Sequence, residues 1–188
     1  MPAAAQSALA SVRAADEAVI AEMARAVLAN EIPVEQVASH VFVAAALQLH
    51  YARLAAALDV EQLVPVGDGV CPACGGAPVA SLVVGWPGAH GARFGVCSTC
   101  ATKWNYVRIK CLLCSSVEGI SYKEVEGGDG TLWAEACDSC HGYVKILHQH
   151  KNQGLDPVAD DVASLALDLL LRESGYRRGA VDPFLLGY

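Results

Sequence analysis

From Ser7 to Leu58, apolar residues recur three and four apart, the spacing that lines one side of a helix. Leu9, Val12, Val19, Ile20, Met23 and Val27 form one stripe, and Val34, Val37, Val41, Ala45 and Leu49 a second. Asn30 separates the two, and Pro33 suits the first turn of the second helix, where its fixed φ and missing N–H cost nothing. Both stripes read as core-packing surface in preference to a partner-binding face. Gly67-Asp68-Gly69 then marks a hinge.

Beyond the hinge the period shortens. Val79–Val84, Arg93–Val96, Trp104–Ile109, Ile120–Val125, Leu132–Ala136 and Tyr143–Leu147 are short β-type runs punctuated by Gly and Cys. Helical spacing returns at Asp156, a suitable N-cap with Pro157 at the first helical position and Asp160 and Asp161 near the positive end of the helix dipole. Val158, Val162, Leu165, Leu169 and Leu170 would face the core, and Gly175 would end the helix. In the tail, Tyr176 to Tyr188, Phe184, Leu185 and Leu186 are available to dock on the body.

Composition narrows the class. With 188 residues, 54% hydrophobic and 18% charged, the chain is neither a disordered polyampholyte nor a large multidomain enzyme. A net charge of −7 lacks the basic footprint of a nucleic-acid binder. The longest apolar stretch, Val41–Leu49, is too short to span a bilayer, and the first residues lack the charged and apolar regions of an export signal. A cytoplasmic protein with no stable membrane insertion is expected, so its eight cysteines read as thiolate ligands or redox thiols in preference to disulfides.

All eight fall in CxxC pairs: Cys71/Cys74, Cys97/Cys100, Cys111/Cys114 and Cys137/Cys140. The third pair follows the first by 40 residues, as the fourth follows the second, and Ser81/Ser121 and Gly88/Gly128 share that offset. The pattern is an internal duplication. Each CxxC turn projects two sulfurs to one side, and a hairpin brings a second turn opposite, making a four-sulfur cage that suits zinc or iron alike. Units of this size bury little core, so a bound ion would supply much of their stability, roughly 10–16 kcal/mol for structural thiolate sites.

Sequential pairing of the motifs is favoured over a cross-brace by the repeat. Thioredoxin-like dithiol chemistry would want a single CxxC at a helix start, and the CxxCH at Cys137–His141 stands among three copies without His, against haem attachment. None of the six histidines is needed as a ligand, and His148 and His150 read as a solvated edge. Trp104, Tyr106, Trp133 and Tyr143 flank the knuckles and are expected to pack over the metal sites. From Cys71 to Lys151 there are seven Lys and Arg against six Asp and Glu, so two divalent ions in thiolate cages would leave the region acidic. No nucleophile–base pair, phosphate loop or carboxylate dyad stands out, and an enzyme is not expected.

The predicted class is α+β: a helical N-terminal region (1–66), two tandem four-cysteine modules of short antiparallel strands (67–109 and 110–150), and a C-terminal helix with docking tail (151–188). The spelling Cys71-Pro72-Ala73-Cys74-Gly75, WNYVRIKC at Trp104–Cys111, YVKIL at Tyr143–Leu147, VADDVASLALD at Val158–Asp168 and DPFLL at Asp182–Leu186 resembles the formate dehydrogenase accessory protein FdhE family. The resemblance is close from Val70 onward and looser before it, where family members generally carry a longer helical region. It implies a cytoplasmic, non-catalytic factor for the maturation of a molybdenum or tungsten formate dehydrogenase, in contact with its catalytic subunit before export. It also implies rubredoxin-like modules in which the eight cysteines hold two ions, iron favoured and zinc the alternative. A redox module with rubredoxin-type iron and a zinc-ribbon nucleic-acid binder are the competing readings, and homo-oligomerisation stays open.

Overall fold

A computed structural model describes residues 1–180 and 182–185. Three helices lead: α1 (Ala3–Ala14), α2 (Glu17–Ala29) and α3 (Val37–Ala56). The stretch expected as one helix up to Asn30 is two, because Ala15 is extended and the Asp16 carboxylate accepts a 2.9 Å hydrogen bond from the Val19 N–H, capping a new start. Asn30 ends α2 as expected, at φ 55°, a left-handed conformation that its short polar side chain tolerates. Pro33 precedes a short 3-10 turn, Val34–Gln36, so it does not open α3 itself. Both α1 and α2 pack on α3. The buried side of α3 is His40, Val43 and Ala44, one step round from the expected stripe, whose Val34 and Leu49 face solvent. His40 is satisfied there by a 2.8 Å hydrogen bond between its Nδ1 and the Gln36 carbonyl.

Six strands follow: β1 (Pro78–Val83), β2 (Arg93–Cys97), β3 (Lys103–Tyr106), β4 (Ile120–Lys123), β5 (Leu132–Cys137) and β6 (Gly142–Leu147). Each repeat is a three-stranded antiparallel meander. Under the 40-residue offset, the second and third strands keep one register: Arg93 lies opposite Tyr106, and Trp133 opposite Ile146. The first strands differ by a bulge between Pro78 and Ala80. Within each repeat the antiparallel expectation holds, and a parallel joint then fuses the two, Ala80 opposite Lys145 through Leu82 opposite Leu147. The sheet runs β3-β2-β1-β6-β5-β4, with a short β7 (Arg177–Arg178) beside the start of β6. β1 and β6 are buried along their whole length, consistent with strands covered on both faces. β3 stops at Tyr106, short of the expected Ile109, because the chain turns there toward Cys111 and leaves Val107 and Ile109 exposed.

The expected C-terminal helix is α4 (Ala159–Ala163) and α5 (Leu165–Glu173). Asp156 caps it as expected, accepting from the Val158 and Ala159 N–H groups at 2.9 and 2.8 Å, and Gly175 ends it at φ 87°. At the break, Ser164, the buried Lys145 ammonium on β6 donates to the Asp161 and Ser164 carbonyls. Leu167, Asp168 and Leu171 turn onto the sheet, while Leu169 and Leu170, expected inside, are exposed. Lys145 and Arg178 face Asp161 and Asp168 in a buried ion cluster, and the Tyr143 hydroxyl donates to Asp168 at 2.6 Å. In the tail, Leu185 is buried in a turn beside α3 and Phe184 is exposed; Leu186 lies outside the described residues.

Candidate metal centres

The eight cysteines form two quartets, Cys71/Cys74/Cys97/Cys100 and Cys111/Cys114/Cys137/Cys140, with the sulfurs of each within 4.8 Å of one another. Pairing is therefore sequential, within each repeat. Across the first quartet, Cys71 and Cys100 sulfurs are 3.6 Å apart and those of Cys74 and Cys97 3.4 Å; the second spans 4.0 Å (Cys111–Cys140) and 3.8 Å (Cys114–Cys137). A tetrahedron with metal–sulfur bonds of about 2.3 Å has edges of about 3.8 Å. All eight thiols are free. The donor set and its spacing fit a four-coordinate thiophilic ion in each quartet.

Local backbone explains why the sulfurs converge. The residue after each second cysteine takes positive φ: Gly75 (75°), Ala101 (57°), Ser115 (63°) and His141 (52°). That reversal closes the turn, and three of the four positions accept it without glycine. His141, the residue that completes the CxxCH spelling, is thus a turn residue. N–H groups inside the turns aim at sulfur: Ala73 toward Cys71 at 3.4 Å, Thr99 toward Cys97 at 3.3 Å and Leu113 toward Cys111 at 3.4 Å.

Electrostatics favour a cation in each cage. A hydrogen bond from the Cys97 thiol holds Cys71 down to about 5, and the same contact with burial pushes Cys97 up. Burial raises Cys74 to about 11. In the second quartet, burial raises Cys111 to about 12 and also raises Cys140, whereas at Cys137 burial is opposed by the backbone N–H groups of Cys140 and Ser139 and by hydrogen bonds with Cys111 and Cys114, which together lower it to about 7. Cys71 and Cys137 ionise readily, while burial and the neighbouring thiols hold Cys74, Cys97, Cys111 and Cys140 in the thiol form. A bound divalent ion supplies the positive charge that lets all four ionise.

The two centres are covered differently. Cys71, Cys97 and Cys100 are buried under Trp104 and, from α3, Tyr51 and Ala55, and the Gln48 side chain donates to the Ser98 carbonyl at 2.8 Å. Each quartet has one exposed cysteine, Cys74 and Cys114; in the second, Cys140 is also only half-buried, and Cys114 and Cys140 line a cavity of about 350 Å³ with Arg177 and Arg178. The supposed hinge is pinned beside it: Asp68 pairs with Lys110 at 3.1 Å, and a Cβ on Gly69 would fall 2.7 Å from the Leu113 carbonyl oxygen. Of the aromatic residues expected over the metals, Trp104 covers the first, and Tyr106 reaches the second through its hydroxyl, which donates to the Cys111 carbonyl at 3.1 Å. Trp133 instead packs against His148, and Tyr143 against α5. No histidine joins either quartet among the described residues. His148 is buried, 5% exposed, which corrects its reading as a solvated edge. A feature missed in the sequence is the buried ion pair of Arg93 and Glu135, counted there only toward the net charge of the region; its signal was a carboxylate inside the apolar run Leu132–Ala136.

Family models match nearly all of the chain: "FdhE, N-terminal" over residues 1–68, "FdhE, central domain" over 70–108 and "FdhE, C-terminal domain" over 109–185. The chain belongs to the FdhE family. An FdhE homolog of Rhizobium meliloti (strain 1021) is 58% identical over all of this chain and 62% of its own length. One from Proteus mirabilis is 37% identical over 98% of this chain and 61% of its own. The crystal structure of the FdhE protein from Pseudomonas aeruginosa superposes with a TM-score of 0.88 at 35% identity, covering all of this chain and 66% of that one. The chain thus spans about 60% of the length of these two FdhE homologs. No single helix among the described residues is long and apolar enough to cross a membrane.

Proposed function

We propose that this chain acts as a metal-carrying cytoplasmic accessory factor in the maturation of formate dehydrogenase, engaging its catalytic subunit without chemistry of its own. The eight cysteines are its metal ligands, one ion per quartet, with iron preferred and zinc the alternative. The two complete four-sulfur clusters on a chain of the FdhE family carry the reading. In functional terms the helical region 1–66 and the C-terminal segment 151–188 flank the two metal modules, 67–109 and 110–150.

Elemental analysis of anaerobically purified protein is expected to give two ions per chain. Cys71→Ser with Cys74→Ser, introduced into a strain lacking the native factor, is expected to abolish formate dehydrogenase activity and co-purification of its catalytic subunit. Retention of both, with folding intact, would remove the metal from the function. The surface position of one cysteine in each quartet, Cys74 and Cys114, favours one second reading, electron transfer through the centres. Reversible bleaching of an iron chromophore at a physiological potential supports that reading, and a colourless zinc form dismisses it.

A further inference from the structure

We propose that the second metal centre is assembled on the first module: Arg93 and Glu135 fix the turn at Cys111, so the second quartet closes around its ion only where β2 supplies Arg93. This rests on the quartets being metal sites, and the test below separates the two claims.

Arg93 reaches from β2 past β1 and β6 to Glu135 on β5. Its two terminal nitrogens donate to the Glu135 oxygens at 2.8 and 3.1 Å, its Nε donates to the Ser81 hydroxyl at 3.2 Å, and the paired side chains are 1% and 2% exposed. Each partner has capacity left over, and both spend it on the chain around one ligand. Arg93 Nη1 donates to the Lys110 carbonyl at 3.2 Å, and Glu135 Oε1 accepts from the Leu112 N–H at 3.3 Å. Cys111 is held between them. An interaction behind a ligand orients it and tunes the affinity of the site.

The duplication shows that this support is particular to the second centre. Forty residues earlier, Leu112 corresponds to Pro72, which has no N–H to satisfy and a fixed φ. Glu135 corresponds to Gly95, where a Cβ would meet the Trp104 ring at 2.8 Å. The first knuckle is set by its own proline and roofed by Trp104, whereas the second leans on a cation from the other repeat. The second centre therefore depends on a residue of the first module.

The test is anaerobic titration of the full chain with cobalt(II), read by bound equivalents and by thiolate-to-cobalt absorption. Wild type is expected to bind two equivalents; a wild type that binds none removes the metal reading itself. Glu135→Gln, which keeps the shape and loses the charge, is expected to hold one tight equivalent with half the absorption, the other weakened about 10–100-fold. Arg93→Met is expected to match it, and Arg93→Lys, which restores a charge without the fork, to fall between. Adding Cys71→Ser and Cys74→Ser to Glu135→Gln is expected to remove the remaining tight equivalent, which assigns it to the first quartet and shows that module folded in the single variant. Two tight equivalents with the wild-type spectrum in Glu135→Gln, or equal loss of both, overturns the proposal.

Discussion

At the scale of single residues, two buried titrating groups pull stability in opposite directions. Burial, and then a hydrogen bond shared with Asp161, raises the Asp182 carboxyl to about 7. The folded state therefore holds a proton that the unfolded chain has released, and this contribution falls as pH rises from about 4 to 7, by up to about 1.4 kcal/mol per unit. His148 does the reverse. Burial first, then Lys151, His150 and Arg108, lowers it to about 4, so its contribution is lost as pH falls from about 6.5 toward 4. Denaturant unfolding of the metal-loaded protein should show weak pH dependence between 4 and 6.5, and Asp182→Asn should expose a clear rise with pH there. Arg93→Met should cost about 3–5 kcal/mol, since it strands the Glu135 carboxylate in the interior. The grouping of the cysteines into two quartets was legible at this scale because CxxC spacing, repeated four times with one offset, is the signature of a duplicated thiolate cage. Arg93, Asp182 and His148 were not, because a charge in sequence carries no mark of whether its partner waits across a sheet.

At the scale of elements, sequence reading succeeded where side-chain chemistry is local and failed where packing decides. Each of the six short β-type runs overlaps a strand, since Gly and Cys bound them as turns require, although Val107–Ile109 and Glu124–Val125 fall outside the strands. Asp156, Gly175 and Asn30 mark helix ends as expected. The helix faces were misjudged because the buried stripes include polar residues that an apolar count passes over: His40 in α3 and Asp168 in α5. The break in the last helix also lies at a buried polar group, Lys145. Lys145→Met should remove the ammonium at the break between α4 and α5 and leave Asp161 and Asp168 with Arg178 as their one cationic partner. The expected result is a loss of about 3–5 kcal/mol in a denaturant titration, with an unchanged cobalt titration of the first quartet. Gly95→Ala should push Trp104 off the first centre, visible as a shifted tryptophan emission, at about 1–3 kcal/mol.

At the scale of the whole molecule, the joint between β1 and β6 makes the two repeats one cooperative body. Removal of both ions by a chelator is expected to melt the sheet together with α5, which packs on Ala134, Ala136 and Tyr143, in a single transition by near-ultraviolet circular dichroism. Helices α1 to α3, packed on one another, should retain far-ultraviolet signal after that transition. Two separate transitions would mean that the repeats melt independently. The repeats were legible from the 40-residue offset, but their fusion was not: nothing local in Ala80 or Lys145 announces that they are neighbours. The same joint sets a timetable for synthesis. Ala80 leaves the ribosome 65 residues before Lys145, roughly 3–13 s at ordinary elongation rates, and through that interval β1 offers a bare edge to whatever else is in the cell.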